Sequence, residues 1–123
     1  MKHAIQNFQI PVIEFDRALK FYTTVMGYDL QIMEFQGAKM AIFRYDTKDG
    51  VGGTIIEAEW LEPSDNGTLV YLQAGEDLQP FLDRVSTAGG KELFPKTELG
   101  PGMGFFGIFK DTEGNRVGLY SKK

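Results

Sequence analysis

Two stretches of this sequence, some sixty residues apart, follow one plan. The first, FQIPVIEFDRALKFYTTVMGYDL (residues 8–30), has an apolar run ending at Pro11, an acidic start, an apolar stripe, a glycine and a new apolar run. The second, TLVYLQAGEDLQPFLDRVSTAGGKEL (residues 68–93), repeats that order. In the first, Phe15, Ala18, Leu19, Tyr22, Val25 and Met26 recur at spacings of three and four, which is one face of a helix. Asp16 is the expected cap, and Gly27 the expected stop. In the second, Asp77 is the expected cap of a helix with stripe Leu78, Phe81, Leu82, Val85 and Ala88, ended by Gly89–Gly90. Pro80 falls in its first turn, where a missing N–H costs little.

Strands are expected at residues 4–12, 28–34, 40–46 and 53–60 in the first half. In the second they are expected at 68–74, near 91–94, and at 104–110 and 116–121. The turn DTKDG (46–50) matches DTEG (111–114), and the polar stretch EPSDNG (62–67) links the halves. The chain thus reads as two tandem β-α-β-β-β modules, residues 1–61 and 67–123, of the α+β class. Each module alone is too small to bury both its sheet and its helix, so the two should pair as a single domain.

Composition narrows the function. Acidic residues outnumber basic ones, 17 to 13, against the usual profile of a nucleic-acid binder. No apolar run is long enough for a membrane span, and the first residues do not read as a secretory leader, so a cytoplasmic protein is expected. The absence of cysteine removes thiolate catalysis and thiolate metal sites, and the one histidine, His3, sits almost at the terminus.

Three pieces together resemble the vicinal oxygen chelate superfamily, which includes glyoxalase I, bleomycin-resistance proteins and extradiol dioxygenases. They are the opening strand and helix with its Phe21–Tyr22 pair before Gly27, the second opening at 67–97, and the closing GFFGIFKDTEGNRVGLYS (104–121) with its D-x-x-G-N turn. The resemblance implies strands curled into an open, cup-shaped mixed sheet with helices outside. It implies a ligand or metal inside the cup, and often a homodimer. In the metal enzymes of the family, His, Gln and Glu side chains hold a divalent ion that polarises vicinal substrate oxygens. Carried over by position, the first-strand ligand falls on Asn7 and its second-module counterpart on Thr68. The closing glutamate falls on Gly118, and its first-module counterpart on Thr54, with a register shift of two admitting Ile56. Asn and Thr are poor metal ligands and glycine has no side chain, so no metal and no other cofactor is expected.

What remains is a pocket for a small molecule. Asn7, Gln9, Thr54 and Thr68 would set amides and hydroxyls on its floor, and Gly118 would leave space. The same groups could instead bond one another or buried water. Phe43, Trp60, Phe105, Phe106 and Tyr120 are candidates for its wall, against the plain alternative that they are core. The glycine-rich residues 93–106 read either as a lid over the cup or as a long hairpin connection, with Lys96 as a cation for an anionic ligand. Glu34, Glu57 and Glu59 are the acid–base candidates, none with a visible partner. Three functions fit: a metal-free small-molecule binder, a lyase or dioxygenase with an atypical site, and a domain acting through a partner or as a dimer, without a ligand.

Overall fold

A computed structural model describes residues 2–123. The first module contains β1 (Asn7–Pro11), α1 (Phe15–Met26), β2 (Gln31–Phe35), β3 (Ala38–Ile42) and β4 (Gly52–Glu57). The second contains β5 (Tyr71–Gln73), α2 (Gln79–Thr87), β6 (Lys91–Gly100), β7 (Gly104–Lys110) and β8 (Arg116–Ser121). The strands form two four-stranded sheets of matching order, β1-β4-β3-β2 and β5-β8-β7-β6. In each, the first strand pairs parallel with the last and the other pairings are antiparallel. The expected pair of mixed-sheet modules is therefore present. Among the described residues no helix is long and apolar enough to cross a membrane.

The repeat shows in the burial. Ala18, Tyr22 and Val25 of α1 and Leu78, Leu82 and Val85, sixty residues on, are all buried. The first strands match at a different offset. Val12 N–H donates to Ile56 O as Ala74 N–H donates to Tyr120 O, which sets Ile10 against Leu72 and Gln9 against Tyr71. Thr68 is thus not the counterpart of Asn7, and it lies in the loop before β5 rather than in a strand. A one-residue change of register moves every side chain to the opposite face, and Thr68 lies one residue short of the sixty-two-residue offset between the first strands.

One core serves both modules. The helices pack on each other, and Phe21, Tyr22 and Phe109 meet between them. Gly27 ends α1 in the left-handed conformation, φ 79°. The Arg84 guanidinium of α2 donates to Val25 O at 2.8 and 3.1 Å, placing a cation at the carbonyl end of α1. The start of α1 differs from expectation. Asp16 lies inside the first turn, and the preceding Glu14 makes no side-chain cap. Two distant carboxylates accept the free N–H groups instead: Glu57 from Phe15 at 2.8 Å, and Glu113 from Ile13 and Glu14 at 2.9 and 2.8 Å.

β6 is longer than residues 91–94. It runs to Gly100, with irregular pairing from Glu92 to Gly100 that lets Pro95, which has no N–H, sit inside it. Residues 93–106 are therefore mostly a hairpin, not a lid.

Candidate functional site

Alternation along each strand decides which residues face the helices and which face away. In the first sheet Phe8, Ile10, Ala41 and Ile55 pack in the core or against it. Asn7, Gln9 and Thr54 lie on the opposite, open face, with Thr54 in register between Gln9 and Ile42. In the second sheet Leu72, Phe109 and Leu119 face the core. Tyr71, Phe106, Gly118 and Tyr120 face the open side, Tyr71 directly beside Gly118 and Phe106 beside Tyr120.

Gln9, Thr54 and Asn7 thus share one face, and Gly118 and Phe106 share its counterpart in the second module. Thr54 pairs with Gln9 as Gly118 pairs with Tyr71. Asn7 is exposed and accepts no metal-like company; its amide donates to Gln6 Oε1. Thr54 Oγ1 is buried and has no hydrogen-bond partner among the described residues. A buried hydroxyl left unpaired costs about 1–3 kcal/mol. Gln9 and Thr68 come together at the seam between the modules. They line a cleft of about 130 Å³ with Ser64, Asn66, Asn115 and Arg116.

Gly118 does not leave open space. A Cβ there would lie 2.4 Å from the Tyr71 ring, so the missing side chain is what lets Tyr71 cover the strand. Three expected wall residues are elsewhere. Phe43 is 4% exposed and packs edge-on against Tyr22 on the helix side, and Trp60 is 64% exposed in a turn beyond β4. Phe105 faces the helix side beneath the Lys96 ammonium, which is itself bonded to Asp77 at 2.8 Å. Sequence reasoning missed Tyr71 and Phe94, which flank Phe106 on the open face at 6.4 and 6.1 Å between ring centroids. The β5–β8 register would have found Tyr71, because it sets that residue beside Gly118.

The acid–base candidates do not gather. Glu57 caps α1, and Glu34 lies on β2, paired with Lys39. Among the described residues no group of three or more His, Cys, Asp or Glu is placed to hold a metal ion. His3 is exposed, its ring against Asp49 O. Among the described residues, the one strongly shifted carboxylate belongs to the module junction. Burial pushes Glu113 upward, but hydrogen bonds from Arg17, Glu14 N–H, Thr112 and Ile13 N–H outweigh it and hold the group down at about 2. Beside it, Asp111 accepts from the Tyr22 hydroxyl at 2.6 Å, and burial first, then Asp111, raises that hydroxyl well above its ordinary value.

The model of the Glyoxalase/Bleomycin resistance protein/Dioxygenase superfamily matches residues 4–119. The chain belongs to this superfamily. A glyoxylase-like domain-containing protein from Didymella fabae is 31% identical over 118 residues, covering 90% of this chain and 88% of the relative. Among solved structures, a glyoxalase/bleomycin resistance protein from Albidiferax ferrireducens T118 superposes with a TM-score of 0.75 at 12% identity, covering 98% of this chain and 100% of that one. The genomically encoded fosfomycin resistance protein FosX from Listeria monocytogenes gives 0.66 at 14% identity, covering 100% and 94%. At these identities the structural matches speak for the fold. Within the superfamily, this member carries Asn7, Thr54 and Gly118 where the resemblance implies metal ligands, the strand register sets Leu69 rather than Thr68 at the fourth position, and that donor set does not fit a divalent ion.

Proposed function

We propose that this protein binds a small, largely apolar molecule on the open faces of its sheets, without a divalent metal at the centre of the site. The observation that carries this reading is the pair of equivalent positions Thr54 and Gly118. One holds an unpartnered hydroxyl, and the other is a glycine roofed by Tyr71. Neither supplies a carboxylate, and Glu57, the nearest acidic residue to Thr54 on β4, is committed to the α1 N-terminus. An acid–base enzyme of the same superfamily loses its best candidate in the same contact.

The test is thermal unfolding with Ni²⁺, Co²⁺, Mn²⁺, Fe²⁺ or Zn²⁺ beside a chelator-treated control. A ligand at a hundred times its dissociation constant adds about 2.7 kcal/mol. For a domain of this size that raises the midpoint by several degrees. We expect no metal-selective rise. A rise of that size, reversed by chelator, overturns the metal-free reading.

The proposal includes a second copy of the chain. Met33 and Phe35 on the open face of the first sheet, and Tyr71 and Phe94 on that of the second, are each more than 40% exposed in the single chain. A two-fold dimer that sets the first module of one chain against the second of the other would close both patches around the bound molecule. Sedimentation equilibrium at micromolar concentration should give twice the monomer mass, and Phe35→Asp should shift the balance toward monomer. A wild-type monomer at that concentration removes the second copy from the proposal.

A further inference from the structure

The open face of the second sheet has a chemistry of its own. Tyr71, Phe106 and Phe94 form a row of rings. Tyr71 and Phe106 are inclined at 76° and Phe106 and Phe94 at 36°. Tyr71 and Phe94 are nearly half exposed although both sit in strands, so the row presents ring surface outward. The glycine at 118 is what allows it, since any side chain there would collide with the Tyr71 ring.

Arg116 lies two residues before Gly118 on β8, and so on the same face, roughly 7 Å along the strand. It is exposed and has no carboxylate partner within salt-bridge distance among the described residues. Its neighbour across the ladder, Lys110, is paired with Asp65 at 3.3 Å. Arg116 also lines the seam cleft, where Gln9, Ser64, Asn66 and Thr68 bring amides and hydroxyls. Glu62 is the one carboxylate among the lining residues. A planar guanidinium with free donors beside an aromatic row matches one ligand shape: a flat ring carrying an anionic oxygen group.

We propose that this face binds an aryl carboxylate or a similar aromatic monoanion, its ring against Tyr71 and Phe106 and its anionic oxygens on Arg116 at the mouth of the seam. The proposal rests on the reading of the open faces as the ligand site and names the ligand class for it. The guanidinium supplies the charge-assisted bond that distinguishes the anion from a neutral molecule of the same shape. The rings supply the preference for a flat molecule over a flexible chain of similar hydrophobicity.

The test uses three probes on the full chain: 2-naphthoate, its neutral analogue 2-naphthylmethanol, and 1-decanol, each titrated by calorimetry. A charge-assisted hydrogen bond contributes about 1.5–3 kcal/mol, so naphthoate should bind about tenfold or more tightly than the alcohol. Arg116→Gln should abolish that ratio while leaving the melting temperature unchanged, and Tyr71→Leu should weaken both naphthyl probes. Equal affinities for naphthoate and naphthylmethanol, or a ratio that survives Arg116→Gln, overturn the proposal. Saturable binding of 1-decanol as tight as that of naphthoate overturns it too, but leaves the apolar open-face site standing. No saturable binding of any probe up to millimolar concentration overturns both.

Discussion

Replacing Glu113 with Ala should lower the unfolding free energy by about 3–5 kcal/mol, the range seen when one partner of a buried charge network is removed. The side chain is fully buried. It accepts from Arg17 at 2.7 and 3.0 Å, from Thr112 at 2.8 Å, and from the N–H groups of Ile13 and Glu14. Its loss strands two backbone donors at the start of α1 and the Arg17 guanidinium together. Urea unfolding at pH 7 measures the change; a loss under 1 kcal/mol would mean that water replaces the carboxylate freely. Arg17→Met should cost less, because Arg17 is half exposed and leaves a carboxylate that still has three other donors.

The same residue sets a pH dependence. In the unfolded chain a glutamate titrates near its ordinary value, whereas folded Glu113 holds its charge down to about 2. Its contribution is therefore complete above the unfolded value and is lost as the pH falls from there through about 2. A depression of this size corresponds to about 3 kcal/mol. The stability gap between wild type and Glu113→Gln should be constant from pH 7 to 5 and close as the pH drops toward 2. A gap that persists at pH 2 would assign the effect to packing rather than charge.

The second large effect is expected at Phe109. This ring is fully buried on β7 and meets Phe21 at 5.7 Å and Tyr22 at 6.3 Å between centroids. Phe109→Ala should cost about 3–5 kcal/mol, combining lost burial with a cavity where the modules join. Trp60→Ala, a larger truncation of an exposed ring, should change stability by no more than about 0.5 kcal/mol. If the two variants unfold alike, the shared core is not where the burial places it. Both modules should melt in one transition in either variant, since neither has a core without the other.

Much of the architecture was legible because the apolar stripes, the stopping glycines and the closing hairpin are local signals. β7 and β8 begin and end at the residues that alternation indicated, and Gly27 ends α1 as expected. β6 was read short because Pro95 and the glycines near 100 resemble loop residues, and only pairing with β7 shows the bulges that accommodate them. The site was harder. Phe43 and Trp60 were assigned to a wall by residue type, but the side of the sheet to which Phe43 turns depends on the register between strands. Thr68 lies sixty-one residues after Asn7, one short of the sixty-two by which the first strands match. Glu113 carried no warning: in DTEG it reads as a turn acid, and its partners other than Thr112 lie about a hundred residues away.

That distance has a consequence for how the protein is made. The N–H groups at the start of α1 are answered by a side chain 99 and 100 positions later, and the Tyr22 hydroxyl by one 89 positions later. A chain leaving the ribosome exposes α1 long before residues 111–115 emerge. Until then the first module has only Glu57 to answer its helix end and no Phe109 to cover Phe21 and Tyr22. Its native contacts close late and over long loops, which makes folding slow compared with a helical bundle of similar length. The first half must therefore wait, with its apolar helix face unprotected, for the last hairpin to be synthesised, and that interval is where a chaperone would find it.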